Sequence, residues 1–281
     1  MSSCIIPESP VYNHNTSDSS QEIEKAISKS IRSEINVLGS FRNCPNIIRL
    51  IAYCFSNASS SDQLCLVYEF APLGDLTEFM KKKSKELLWQ YRVRIACGIA
   101  TGLNFLHMHD PGYPAFHRDI KSSNIVLMQD FSPKIIDCGL SKYAPEGESA
   151  LGRSLITNST GGNRFGTPAY MCPEYVRNRS IKYDAKCEFY SFGIVLLELL
   201  SGRQQGLDDV YLEDVVDELD VDKTILANNF PNGCIAEIRE LAHCCVEKRA
   251  TRISSSIDVL RRLQCIKAKY DDPTYVENVI I

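Results

Sequence analysis

The stretch from His117 to Asn124, which reads H-R-D-I-K-S-S-N, constrains this chain more than any other part of its sequence. It is a short polar connection between apolar segments, and two of its side chains, Asp119 and Asn124, carry acceptor oxygens. An aspartate in such a place can accept the proton of an attacking hydroxyl, and an asparagine oxygen nearby can hold a metal ion. The pattern therefore predicts a catalytic loop and not an accidental polar run.

The composition is that of a globular protein with a proper core. The chain has 281 residues, of which 44% are hydrophobic and 23% charged, and its formal net charge is −4. Nucleic-acid binding therefore has no electrostatic support. The longest apolar run, from Phe192 to Leu197, falls short of the roughly 18 residues that span a bilayer, and the first residues lack the apolar core of a signal peptide. We expect no nucleic-acid partner and no membrane span.

Cysteine usage indicates the compartment. The 12 cysteines are scattered without a C-x-x-C pair, and several lie inside apolar segments: Cys54, Cys65, Cys97, Cys244 and Cys245. A chain of this length does not need a disulfide framework to fold. We interpret these residues as reduced, mostly buried thiols, which predicts a cytoplasmic protein.

The first quarter of the chain predicts a leader, a helix and two strands. Residues 1–20 are rich in Pro, Asn and Ser and predict a flexible leader. Four isoleucines at four-residue spacing, followed by Leu38 three residues after the last of them, then predict an amphipathic helix that ends near Gly39. Two apolar segments, Ile47–Phe55 and Leu64–Phe70, predict strands joined by the polar hairpin connection Ser56–Gln63.

From residue 72 onward the pattern is mainly helical. Asp75 is placed to cap a helix that begins at Leu76. The segment from Tyr143 to Arg164 is polar and without periodicity, as in a functional or disordered loop. The predicted helices are Leu88–His107, Ser191–Ser201, Ile235–Val246 and Ile257–Ile266. Few strands in front and many helices behind predict a two-lobed α+β fold.

Four short motifs follow one another in a fixed order. They are H-R-D at 117–119, Asn124, D-C-G at 137–139 and C-P-E at 172–174. This order resembles the signature of protein kinases. From Glu34 to about Leu263 the chain is similar to the tyrosine-kinase-like group, with the interleukin-1-receptor-associated and Pelle kinases as the nearest pattern. The stretches Leu64–Phe70, His117–Ile125 and Phe189–Glu198 carry that resemblance.

The resemblance implies transfer of the γ-phosphate of ATP to serine or threonine hydroxyls of protein substrates. Asp119 would orient the hydroxyl and accept its proton, and Lys121 would stabilise the transferring phosphate. Asn124 and Asp137 would hold Mg²⁺. Lys121 and Thr167 are the residues that favour serine or threonine over tyrosine.

The same resemblance assigns the nucleotide contacts. Backbone groups of Glu69, Phe70 and Ala71 would face adenine, and Asp75 would lie near the ribose. Tyr68 would be the gatekeeper residue at the back of the nucleotide pocket. In this two-lobed kinase-like fold, residues 21–71 would form a partial, incomplete β-rich N-lobe, residues 72–267 the helical C-lobe and residues 268–281 a tail.

Other charged residues receive structural or regulatory roles. Glu34 matches the helix glutamate that pairs with the ATP-anchoring lysine. Glu174 closes the activation segment, with Arg252 as its partner and Arg249 as a second candidate. Arg118, beside the catalytic base, is suited to receive a phosphate from the preceding loop, which we expect to order the loop and raise activity. The available acceptors there are Ser154, Thr157, Ser159 and Thr160.

The chain departs from the kinase pattern at three places. No glycine precedes Gly39, and neither the glycine-rich loop nor the V-A-I-K lysine is found before Glu34, which predicts a truncated N-lobe. Cys138 replaces the phenylalanine of D-F-G. Glu188 replaces the aspartate that braces the catalytic loop, and its extra methylene predicts a small displacement of Asp119.

Two functions are consistent with this sequence. One is an active kinase that signals downstream of a receptor, with receptor-proximal adaptors as partners. The other is a pseudokinase or scaffold with weak or no ATP turnover, because the glycine-rich loop and the ATP-anchoring lysine are absent.

Overall fold

A helix and a β-hairpin form the first part of the computed structural model, which describes residues 31–56, 63–109, 114–143, 166–178, 180–206, 211–214 and 231–271. Residues 31–40 are helical (α1). Strands β1 (Leu50–Ser56) and β2 (Gln63–Tyr68) pair antiparallel, with Leu50 opposite Tyr68. The predicted helix and strands are thus present in these ranges, although β1 begins three residues later than expected because Ile47 instead bridges to Ile135.

The remaining large elements are helices. They are α2 (Leu76–Lys83), α3 (Trp89–Met108), α4 (Pro173–Arg177), α5 (Ala185–Ser201), α6 (Asn232–Val246) and α7 (Ser256–Asp271). Helix α5 is buried along nearly its whole length and packs against α3 and α6, while α7 covers α3 and α6. A helix that is apolar all round belongs in the centre of a core.

The start predicted for α5 was wrong, and a side-chain cap explains why. The helix begins six residues before Ser191, because Asp184 accepts a hydrogen bond from the Cys187 amide and caps the first turn. It ends at Ser201, as predicted, and the next residue, Gly202, has a φ of 67°, a left-handed conformation that glycine adopts without strain. Helix α7 continues to Asp271, beyond the helix end predicted at Ile266.

Two pairs of short strands position the polar loops between them. Strand β3 (Ala115–Phe116) pairs with β6 (Lys142–Tyr143), and β4 (Ile125–Leu127) pairs with β5 (Pro133–Ile135). The loop after β3 and the loop after β5 therefore lie side by side. These loops contain the H-R-D and D-C-G motifs, so the pairing brings the two motifs together.

The fold is the predicted two-lobed α+β arrangement, with a small β-hairpin lobe and a helical lobe. Within the described ranges, no helix combines the length and the apolar character that crossing a membrane requires. The predicted leader, most of the loop from Tyr143 to Arg164 and the four phosphate acceptors in it lie outside the described residues.

Candidate active site

Asp119 is the centre of a compact hydrogen-bonded cluster. Its side chain is 7% exposed. Oδ1 accepts hydrogen bonds from the Thr167 amide (2.8 Å) and hydroxyl (2.7 Å), and Oδ2 lies 2.9 Å from Lys121 Nζ. Burial alone would raise the pKa of Asp119, but the hydrogen bonds from Lys121 and Thr167 outweigh it and lower the pKa. Asp119 is therefore a carboxylate, the form that can accept a proton.

Lys121 and Thr167 complete this cluster. Lys121 Nζ donates to Thr167 Oγ1 at 2.8 Å, so the threonine hydroxyl accepts from the lysine and donates to Asp119. Thr167 follows Gly166, whose φ is 118° and where a Cβ would meet the Arg118 carbonyl oxygen at 2.7 Å. Only glycine allows this approach, and it brings residue 167 onto the catalytic loop.

Asn124 and Asp137 supply the oxygens suited to a metal ion. The Asn124 amide nitrogen donates to the backbone oxygen (2.9 Å) and Oδ2 (3.1 Å) of Asp119, so its Oδ1 is the atom available as a ligand. Asp137 has a left-handed backbone, with φ 64° and ψ 61°. Such strain in a non-glycine residue is maintained only where the surroundings enforce it, and it is concentrated at functional sites.

A cavity of about 640 Å³ opens beside Asp137. Its lining includes the apolar residues Ile48, Val126 and Ile136. The other lining residues are Glu34, Tyr68, Glu69, Phe70, Ala71 and Asp137. Six of the residues that the sequence assigned to nucleotide and metal binding or to neighbouring roles therefore share one cavity.

Asp75 does not line this cavity. Its Oδ1 accepts from the Glu78 amide at 2.9 Å and caps α2, as the sequence predicted. The predicted ribose contact of Asp75 stays a prediction.

Glu34 lies on α1 and is held by Tyr68. The Tyr68 hydroxyl donates to Glu34 Oε1 at 2.7 Å. Burial raises the pKa of Glu34, against the lowering effect of this hydrogen bond. Ser33 also donates to the Ser141 carbonyl oxygen at 3.0 Å, which fastens α1 to the turn after Asp137. In the described part of the chain, the side-chain donor to Glu34 is thus a tyrosine and not a lysine.

Removing the Tyr68 hydroxyl should weaken this attachment. We expect Tyr68→Phe to lower the free energy of unfolding by about 1–2 kcal/mol, because a half-buried hydrogen bond to a carboxyl group is lost. Urea denaturation measures the change. Tyr211→Phe, in a side chain that is 45% exposed, is the matched control and should change stability by less than about 0.5 kcal/mol. Equal effects of the two substitutions would contradict the assignment.

Glu188 braces the catalytic loop from α5. It is fully buried; Oε1 accepts from the Arg118 amide at 2.8 Å, and Oε2 lies 2.7 Å from His107 Nε2. Arg118 has a φ of 75°, a strained conformation that this hydrogen bond helps to maintain. Burial would raise the pKa of Glu188, but the bonds from His107 and Arg118 lower it. The longer side chain therefore still makes the bracing contact that an aspartate was expected to make.

Of the two arginines predicted as partners of Glu174, the structure pairs Arg252 with it through side chains. Arg252 Nη2 is 3.1 Å from Glu174 Oε1, whereas Arg249 contacts Glu174 only through its backbone amide. The Arg249 side chain instead pairs with Asp184 at 2.5 Å. Arg118 donates to the Leu140 carbonyl oxygen at 3.3 Å. Because the phosphate acceptors lie outside the described residues, the phosphate-binding role of Arg118 stays a prediction.

Cys138 behaves as a small core residue. It is fully buried, and burial raises the pKa of its thiol to about 12. His107, Tyr170 and Glu198 were not singled out from the sequence as site residues. A histidine or glutamate inside an apolar helix is a signal of buried polar contacts, and it could have identified His107 and Glu198.

The chain is similar in sequence to known protein kinases. A family model of the protein kinase domain matches residues 13–262. A receptor protein-tyrosine kinase of Arabidopsis thaliana, CEPR1, is 38% identical over 200 residues, which are 71% of this chain and 19% of that protein.

Two further relatives from the same plant have serine/threonine names. The serine/threonine-protein kinase PBL34 is 40% identical over 173 residues (61% of this chain, 32% of the relative). The probable serine/threonine-protein kinase PBL8 is 34% identical over 250 residues (83% of this chain, 57% of the relative). The chain thus spans less than two thirds of the length of each of these relatives.

Proposed function

This chain belongs to the protein kinase family, and on that premise we propose that it is a serine/threonine kinase that transfers the γ-phosphate of ATP to protein substrates. The cluster of Asp119, Lys121 and Thr167 carries the proposal, because it holds an ionised carboxylate and a cation at one point. The relatives also support the resemblance to the interleukin-1-receptor-associated and Pelle kinases. They give no support to the alternative of a pseudokinase.

The proposed chemistry depends on position and charge. A substrate hydroxyl placed beside Asp119 would be oriented by that carboxylate and would lose its proton to it as its oxygen bonds to the γ-phosphorus. The bond from the γ-phosphorus to the bridging oxygen would break in the same step, with ADP as the leaving group. Lys121 lies 2.9 Å from Asp119 and can move to the phosphoryl oxygens, where its charge would offset the negative charge that develops. Thr167 fixes the carboxylate between two donors, so the base is oriented before the substrate arrives.

The donor atoms around the cavity fit ATP and Mg²⁺. The Glu69 amide donates to the Arg49 carbonyl oxygen, and the Ala71 carbonyl oxygen accepts from the Gly74 amide. Among the described residues no backbone hydrogen bond engages the Glu69 carbonyl or the Ala71 amide, so both could bind the adenine edge. Asp137 and Asn124 Oδ1 are hard oxygen donors of the kind that Mg²⁺ prefers. When bound, the ion would neutralise the phosphate charges.

The serine/threonine preference and the setting are part of this proposal. Two of the three relatives described above carry serine/threonine kinase names, and Thr167 occupies the place beside the base. Cysteine usage favours a cytoplasmic setting. Receptor-proximal adaptors as partners would suit a kinase of intracellular signalling.

A thermal-shift measurement with Mg-ATP tests nucleotide binding. At ten times the dissociation constant, Mg-ATP should stabilise the chain by about 1.4 kcal/mol, which raises Tm by about 3–6 °C. Asp137→Ala should abolish the shift, because it removes the carboxylate that faces the cavity. Asp258→Ala, at an exposed position on α7, should leave it intact. No shift in the unsubstituted chain, or a full shift in Asp137→Ala, would overturn this assignment.

A further inference from the structure

A fully buried carboxyl group, that of Glu198 on α5, lies beneath the active-site loops. Its Oε1 accepts hydrogen bonds from the Tyr170 hydroxyl at 2.6 Å and from the Gln205 amide at 2.9 Å. Oε2 is also buried and has no hydrogen-bond partner among the residues that the structure describes. All the donors to this carboxyl group are neutral, so nothing in its contacts compensates a negative charge.

The contacts of Glu198 reach both sides of the active site. Tyr170 belongs to residues 166–171, here named the Thr167 segment, whose Thr167 donates to the catalytic Asp119. The Tyr170 hydroxyl also lies 3.3 Å from Ser122 Oγ on the catalytic loop.

Two further contacts extend this network. Ser122 Oγ is in turn 2.6 Å from Thr77 Oγ1 on α2. Gln205, the second donor to Glu198, also donates from Nε2 to the Ala169 carbonyl oxygen at 3.0 Å. The Glu198 carboxyl group thus binds the side chain of Tyr170 in the Thr167 segment directly, and it binds that segment's backbone at Ala169 through Gln205.

The surroundings favour the protonated form of Glu198. Burial raises its pKa to about 7, against the lowering effect of the hydrogen bonds from Tyr170 and Gln205. The charged groups on the elements packed around it are engaged elsewhere. They are Arg92 on α3, bound to the carbonyl oxygens of Leu87 and Leu199; Glu213, bound to Gln205 and Tyr190; and the ion pair of Lys121 with Asp119.

We propose that Glu198 is a positioning residue for phosphate transfer: as a neutral acid it holds the Thr167 segment against the catalytic loop, and its ionisation loosens that segment. An ionised Glu198 would leave a charged oxygen buried without a donor, which is costly. The cost is relieved if Tyr170 and Gln205 shift to admit water. That movement would displace Thr167 from Asp119, so protonation of one carboxyl group would set the geometry of the base.

Hydrogen exchange tests the structural part of this inference without requiring turnover. The Tyr170 and Met171 amides donate to Thr167 and Pro168 carbonyl oxygens at 2.9 and 3.2 Å, and they report on the Thr167 segment. After correction for intrinsic rates, we expect their exchange to rise about tenfold from pH 6 to pH 8, as the ionised fraction of Glu198 rises. Glu198→Gln keeps an acceptor oxygen and cannot ionise, so its corrected exchange should stay constant.

A control variant and a stability measurement complete this test. Glu213→Gln alters a neighbouring carboxylate but leaves Glu198 able to ionise, and its exchange should follow the unsubstituted chain. The Tm of Glu198→Gln should rise relative to the unsubstituted chain between pH 6 and pH 8, because only the latter carries a buried carboxyl group that ionises at the higher pH. Equal pH dependence of the unsubstituted chain and Glu198→Gln, in exchange and in Tm, would overturn the inference.

Kinetics then separate this inference from the proposed function on which its catalytic part rests. The kcat for a peptide substrate should fall as the pH rises in the unsubstituted chain, because the base loses its orientation, and this fall should be absent in Glu198→Gln. If exchange depends on Glu198 as expected but no phosphate is transferred, the proposed function fails while the coupling of Glu198 to the Thr167 segment holds. If transfer occurs with the same pH profile of kcat in both proteins, the positioning role is refuted.

Discussion

Replacing Asp119 with asparagine should lower kcat for peptide phosphorylation about a thousandfold while the fold is kept. Asparagine has the same shape but cannot accept the proton of the substrate hydroxyl, and a general base contributes roughly 10²–10⁴ in rate. Its amide also loses the charge that pairs with Lys121 at 2.9 Å. Steady-state kinetics with saturating Mg-ATP measure the effect on kcat. In a separate titration KM for ATP should change little, because Asp119 does not line the cavity beside Asp137.

The matched control for this substitution is Asp258→Asn on the surface of α7. It removes one carboxylate far from the catalytic loop and should leave kcat within a factor of two. Circular dichroism and Tm establish whether Asp119→Asn is folded. A folded Asp119→Asn variant that keeps more than a tenth of the activity would contradict the role of Asp119 as base.

Replacing Glu188 with alanine should have the largest effect on stability, about 3–5 kcal/mol. The substitution removes a fully buried carboxylate and leaves the His107 ring and the Arg118 amide without their partner in the core. Because hydrogen bonds lower its pKa in the folded state, the stabilisation from Glu188 is present above the usual glutamate pKa. It is lost as the pH falls through the lowered value. Urea denaturation at pH 7 measures the difference.

A shorter carboxylate provides a milder version of the same test. Glu188→Asp keeps the charge but cannot span both contacts, so we expect a loss of about 1–2 kcal/mol and a kcat reduced about tenfold. The activity falls because the strained Arg118 peptide, with φ 75°, is no longer held beside Asp119. Glu86→Ala, at a 59% exposed side chain, is the control and should be neutral. If Glu188→Asp matched the original chain in both measurements, the extra methylene would have no role in bracing the loop.

Much of the site could be predicted from sequence because its residues are close together in the chain. Asp119, Lys121 and Asn124 lie within six positions, and their motif specifies a local geometry that the structure contains. Helix α3 was predicted within about one residue at each end because its apolar face repeats over five turns. Motifs and long periodic patterns are local properties, so they can be read without the fold.

The contacts that join distant segments could not be predicted in the same way. The bond from Tyr68 to Glu34 and the bond from Tyr170 to Glu198 depend on how separate elements pack. The displacement of Asp119 predicted from the extra methylene of Glu188 stays a prediction, whereas the contact of Glu188 with the Arg118 amide is seen only in the structure. Side-chain reach is decided by packing, and periodicity contains no information about it.

Transfer of phosphate to a defined residue tests the central claim most directly. The chain should be incubated with Mg-ATP and equal amounts of peptides that differ only in a single serine, threonine or tyrosine, and the products identified by mass spectrometry. We expect phosphate on the serine and threonine peptides, and about a thousandfold slower transfer in a parallel reaction with Asp119→Asn. Phosphate on the tyrosine peptide alone, or equal transfer by the chain and Asp119→Asn, would contradict the assignment of a serine/threonine kinase centred on Asp119.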